Sequence, residues 1–127
     1  MAANNGQNDG VENWEAQLRK GCLEMAVLAA LAPGKSYGLE IIRTLEMHSK
    51  LVLSEGTIYP ILNRLRQDSL VDAVWVESDS GHPRKYYSLT RKGRERAAQM
   101  AESWMEFAQG LSSLMEPLLS KKRGARA

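Results

Sequence analysis

The stretch Leu53-Ser54-Glu55-Gly56-Thr57-Ile58-Tyr59-Pro60-Ile61-Leu62-Asn63-Arg64-Leu65 constrains the fold of this chain more than any other. Ile58, Ile61, Leu62 and Leu65 recur at helical spacing, so a short helix here buries one apolar stripe. Thr57, Tyr59, Asn63, Arg64 and Arg66 lie off that stripe. An outer face carrying a hydroxyl, a phenol, an amide and guanidinium groups can read base edges and grip phosphates. Further along, Gly81-His82-Pro83-Arg84-Lys85-Tyr86-Tyr87-Ser88-Leu89-Thr90 reads as a basic hairpin tip running into a strand. A helix followed by a basic hairpin predicts a winged helix-turn-helix: a mainly α fold with a small β-hairpin and, at its end, a long C-terminal helix.

Bulk properties bound the function. With 127 residues, 43% hydrophobic and 25% charged, the chain has room for one small domain of ordinary soluble composition plus extensions. Its longest apolar run, Met25 to Ala32, is far short of the roughly 20 residues a bilayer requires, so no membrane partner is expected. A single cysteine, Cys22, excludes an internal disulfide and fits a reducing cytoplasm. Its Ala- and Leu-rich surroundings predict a buried core thiol. Net charge is a modest +2, but residues 82–96 hold Arg84, Lys85, Arg91, Lys92, Arg94 and Arg96 against Glu95 alone. A basic patch hidden in a near-neutral total fits a nucleic-acid site, and equally a solvated wing.

The chain divides into four parts. Residues 1–11, Asn- and Gly-rich, read as a flexible tail. Residues 12–90 hold the winged helix-turn-helix, 91–118 a dimerisation helix and 119–127 a basic, disordered tail. Within the body, a first helix runs from about Glu12 to Ala32, stopped by Pro33-Gly34. Ser36 is a good N-cap for a second helix, with Leu39, Ile42 and Leu45 inward. Ser54 caps the third. Pro60 conflicts with a regular helix interior. Either the first turn is tight or tilted, or the helix starts near Tyr59 and Pro60 takes its permitted first position. Val71 to Glu77 and Lys85 to Leu89 read as strands, with Tyr87 and Leu89 toward the core. Thr90 caps the last helix.

That helix carries the second strong pattern. Ala97, Met100, Trp104, Phe107, Leu111, Leu114 and Leu118 are spaced alternately three and four apart. This is the seam of a helix packed lengthwise on another. A small winged-helix core cannot cover it, so the spacing predicts a homodimer formed through this helix and the first.

The chain resembles the PadR family of bacterial transcriptional regulators over about Leu18 to Leu114. The likeness rests on Ser36-Tyr37-Gly38 opening helix 2, on Gly56-Thr57-Ile58-Tyr59-Pro60 with Leu62, Arg64 and Leu65, and on Arg84-Lys85-Tyr86-Tyr87-Ser88-Leu89-Thr90-Arg91-Lys92-Gly93. The single C-terminal helix is similar to that of the short subfamily. The resemblance implies a dimeric repressor of a pseudo-palindromic operator in double-stranded DNA, released by a small molecule or stress signal. It assigns Thr57, Tyr59 and Arg64 to DNA, makes Tyr37 a phosphate contact and makes Arg84 and Lys85 wing contacts. Ser54, Pro60 and Asn63 complete the expected DNA-binding set. Glu102-Ser103-Trp104 matches the setting of a tryptophan that holds flat aromatic drugs in some short members. It nominates Trp104, Met100, Phe107 and, second in line, Trp14 as effector-binding residues. Plain interface packing by Trp104 is the competing reading.

Other functions have weaker support. Trp75 and Trp14 read first as packing residues, and His82 as a solvated turn residue. Two histidines and one cysteine offer no metal-ligand spacing, and no cofactor is implied. No nucleophile with a base partner, carboxylate pair or phosphate loop appears, so the chain does not read as an enzyme. A winged-helix module for protein assembly, with an incidental basic wing, is the alternative to a DNA-binding regulator.

Overall fold

The computed structural model describes the backbone of residues 2–126 and the side chains of residues 10–119. The elements run α1 (Ala2–Ala30), β1 (Ser36–Tyr37), α2 (Gly38–Ser49), α3 (Glu55–Gln67), β2 (Val71–Val76), β3 (Arg84–Leu89) and α4 (Arg91–Arg126). The strands form one antiparallel sheet in the order β1-β3-β2. The core joins Val27, Leu28 and Leu31 at the end of α1 to Ile41, Ile42 and Leu45 of α2 and to the stripe Ile58, Ile61, Leu62 and Leu65 of α3. Tyr87 and Leu89 close it from the sheet, as the strand alternation predicts.

Several local expectations give way. Ser36 does not cap α2. Ser36 and Tyr37 form the third strand, in register with Tyr87 and Tyr86. The cap position falls to the extended Tyr37, whose backbone N–H donates to Glu40 Oε1 at 3.2 Å. Pairing with β3 satisfies backbone groups that a two-residue segment could not satisfy alone. With Ile42 and Leu45 facing the core, the helical period places Ile41 in the same buried arc and leaves Leu39, expected inward, exposed at its edge. Pro60 sits inside α3, with a tight first turn: Thr57 N and Ile58 N both donate to the Ser54 carbonyl. The missing N–H leaves the Gly56 carbonyl without its usual donor, which an exposed residue can take from water. Ser54 holds the cap position, but its hydroxyl lies 3.2 Å from Thr57 Oγ1 and does not bond the backbone.

Both long helices exceed their predicted limits. The α1 backbone is helical from Ala2, where a flexible tail over 1–11 was expected; Met1 lies outside the described residues. Elongation costs little once a helix has nucleated, so even a polar stretch can extend α1. Likewise α4 passes Pro117 and runs to Arg126, through the segment expected as a disordered tail, with Ala127 outside the described residues. Pro117 removes one hydrogen bond without ending a helix already many turns long.

The start of α4 is fixed to the end of α3. Thr90 Oγ1 accepts from Gly93 N at 2.9 Å, as a helix cap, and donates to the Ser69 carbonyl at 2.6 Å. Lys92 Nζ reaches the Asp68 carbonyl at 3.1 Å. Gly93 is buried so close to the Leu70 carbonyl that an added Cβ would stand 1.9 Å from that oxygen. Any side chain at 93 would push α4 off the body. The direction of α4 is thereby tied to that of α3.

Candidate nucleic-acid interface

The outer face of α3 presents Ser54, Thr57, Tyr59, Pro60, Asn63, Arg64 and Arg66, all exposed. Their placement follows from the buried stripe, which turns the other side of the helix to solvent. Beside it stands the wing, β2 and β3, with Arg84 and Lys85 at the start of β3. Adjacent strand residues point to opposite faces, so the two cations take different partners. Arg84 Cζ lies 4.5 Å from the centre of the Tyr37 ring. Tyr37 in turn meets Tyr86 edge-on at 5.4 Å, and Lys35 Nζ lies 5.4 Å from the Tyr86 ring centre. Lys85 Nζ sits on the other face, 5.7 Å from the Trp75 ring centre and 5.8 Å from that of Tyr87.

Between α3 and the wing runs a groove of about 450 Å³. It gathers five of the nominated residues: Tyr37, Tyr59, Asn63, Arg84 and Lys85. Ser54, Thr57, Pro60 and Arg64 stand outside it on the exposed helix face. Trp75 also lines the groove and is exposed there, which corrects the packing role its sequence setting predicts. In the strand register Trp75 pairs with Lys85, which sets the indole beside the basic strand. Arg64, Arg66, Arg84 and Lys85 are not paired with carboxylates among the described residues, so their charge is available to an anion. At the floor of the groove, burial, with the neighbouring Tyr59 adding to it, raises the pKa of the Tyr87 phenol, against a smaller opposing pull from Arg66. The phenol stays neutral.

The seat of Tyr59 explains why glycine opens α2. A Cβ at position 38 would lie 2.5 Å from Tyr59 Oη and 2.7 Å from Cζ. Gly38→Ala therefore displaces the end of an exposed side chain and leaves the core intact. We expect thermal stability to change by no more than about 1 kcal/mol, while specific DNA affinity falls by about 1 kcal/mol or more as Tyr59 swings away. Thermal melts beside DNA titrations of the same variant check this. A collapse in stability, or unchanged affinity, would contradict it.

A second groove, of about 950 Å³, lies between α1 and α4. It brings together Met100, Trp104 and Phe107 with Leu18, Cys22 and Met25. Trp14 is exposed on α1 and does not line it. Cys22 is half-buried on this groove and not in the core, because α1 turns that side toward α4 and away from α2. Of the seam, Ala97 and Met100 pack against the core, while Trp104, Phe107, Leu111, Leu114 and Leu118 are exposed in the single chain. Among the described residues no helix is long and apolar enough to cross a membrane, and no cluster of His, Cys, Asp or Glu could hold a metal ion.

A profile of the transcriptional regulator PadR-like family matches residues 27–99, from the end of α1 into α4. Solved structures agree. A PadR-like transcription factor from Bacteroides fragilis is 39% identical, the match covering 80% of this chain and 98% of that one, with a TM-score of 0.66. A PadR-like transcriptional regulator from Bacillus cereus is 33% identical over 78% of this chain and 96% of its own, with a TM-score of 0.71. A PadR family transcriptional regulator from Eggerthella lenta is 30% identical over 87% and 96%, with a TM-score of 0.76.

Proposed function

The chain belongs to the PadR-like family of transcriptional regulators, which are DNA-binding proteins and not enzymes, and we propose that it acts as a homodimeric repressor whose grip on a pseudo-palindromic operator is released by a small-molecule or stress signal. The observation that carries the DNA half of this reading is the groove in which Tyr59 and Asn63 of the recognition helix face Arg84 and Lys85 of the wing. Helix α3 enters the major groove and reads base edges through Thr57, Tyr59, Asn63 and Arg64. Ser54 and Pro60 shape the end of the helix that goes in first. Tyr37, Arg84 and Lys85 hold the backbone, where charge counts more than identity.

The uncovered seam supports the dimer: exposed apolar residues over several turns of α4 need a partner. A two-fold pair of α3 helices reaches successive major grooves, about 34 Å apart. The rigid joint at Thr90 and Gly93 supports the release step. A planar aromatic effector lodged beside Trp104 would shift α4, and the joint would carry that shift to α3 and alter the spacing of the two recognition helices. Linkage requires DNA to weaken effector binding by the same factor. A DNA partner and a lone half-buried thiol fit a cytoplasmic site of action.

The experiment is selection of duplexes from a random pool by the full-length protein, followed by footprinting at several salt concentrations. We expect two protected patches one helical turn apart and a steep fall of affinity with salt. Equal affinity for selected and scrambled duplexes would overturn the reading in favour of a protein-assembly module.

A further inference from the structure

We propose that Trp75, on the inner face of the wing, is a direct DNA contact whose indole packs on a deoxyribose of the bound duplex while keeping Lys85 poised for the adjoining phosphate. The proposal rests on the DNA reading of the groove and adds a residue to it. Strand alternation puts Val71, Ala73 and Trp75 on one face of β2, in register with Leu89, Tyr87 and Lys85 of β3. The first of these pairs is buried, and the second reaches the edge of the core with Tyr87 still covered. The third runs out beyond the core, where Trp75 is 65% exposed. Tyr87 has already closed the core, so packing gives no account of an indole at this position.

What occupies the groove must suit both members of the pair. The ammonium of Lys85, 5.7 Å from the indole centre and without a carboxylate partner among the described residues, attracts an anion. The indole face beside it requires an apolar surface, and the cation–π contact holds the ammonium over the ring. A duplex strand offers both at the spacing of one nucleotide: a phosphate, then the C–H face of a sugar. Tyr59 and Asn63 line the opposite side of the same groove, so a strand lying there touches helix and wing together. A sugar carries no sequence, so Trp75 strengthens binding to all duplexes alike.

The test uses the full-length protein labelled with 5-fluorotryptophan, which gives one fluorine resonance for each of its three tryptophans. Trp75→Phe identifies the resonance of Trp75. On adding a duplex recovered by selection, that resonance should lose its shift between light and heavy water, because the ring leaves solvent. Trp75→Ala should weaken binding to selected and scrambled duplexes by a similar factor, roughly tenfold, or about 1.4 kcal/mol. It should leave the slope of log K against log salt unchanged, whereas Lys85→Ala should reduce the slope by about 0.9. Trp75→Phe should recover part of the loss. A Trp75 resonance that keeps its solvent shift in the complex, or full affinity in Trp75→Ala, overturns the assignment while leaving the DNA reading in place. Failure of the unmutated protein to bind any duplex removes both.

Discussion

Trp104→Glu combined with Leu111→Glu should separate the protein into monomers and lower its affinity for operator DNA by about 10²–10⁴-fold, the gain that two linked sites have over one. Both residues lie on the apolar seam of α4, outside the core formed by α1, α2, α3 and the sheet. In the proposed two-fold dimer each change occurs twice, so four carboxylates would meet in an apolar interface. Desolvating unpaired charges is far more costly than the apolar contacts are worth. The single chain keeps its buried core, since neither residue belongs to it, and loses only the packing of the partly covered Trp104 ring beside α1. Sedimentation gives the mass and fluorescence anisotropy the affinity. A variant that still sediments as a dimer would move the interface off the seam. A monomer with full operator affinity would remove the two-fold reading.

What could be read from the sequence depended on how local its cause was. The stripe Ile58, Ile61, Leu62 and Leu65 is a period within one helix, and all four residues are buried as that period requires. Tyr87 and Leu89 follow from strand alternation, and Thr90 caps α4 through bonds three residues away. Five of the nominated DNA-binding residues converge on one groove, because the buried stripe on α3 turns Tyr59 and Asn63 outward beside the basic start of β3. The failures have distant causes. Ser36 became a strand because Tyr86 and Tyr87, some fifty residues away, offered it a ladder. Leu39 is an exception with a local cause, since the helical period itself places Ile41, not Leu39, beside Ile42 and Leu45. Cys22 left the core because α4 lies against α1. Trp75 lies outside the packing because the core ends one pair earlier, at Ala73 and Tyr87. Nothing within either neighbourhood announces that a Cβ on Gly38 would strike Tyr59.

The proposed coupling between effector and DNA depends on one mechanical fact. Gly93 allows α4 to lie against the Leu70 carbonyl, and Thr90 and Lys92 bond the carbonyls of Ser69 and Asp68. A seam that moves must therefore carry the end of α3 with it. Without that joint, the wing and recognition helix would not register a shift between the two copies of α4.

The central claim is that α3 reads sequence, and the ratio of affinities for the selected duplex and its scrambled counterpart tests it most directly. Tyr59 and Arg64 are exposed on the face opposite the buried stripe, one inside the groove and one beside it. Neither fills the core, so alanine at either position should leave fold and dimer intact. Tyr59→Ala and Arg64→Ala should each reduce the ratio by about 1–3 kcal/mol, the cost of losing a contact to a base edge. Equal weakening on both duplexes, with the ratio unchanged, would make these residues phosphate contacts and contradict the claim that this helix recognises its operator.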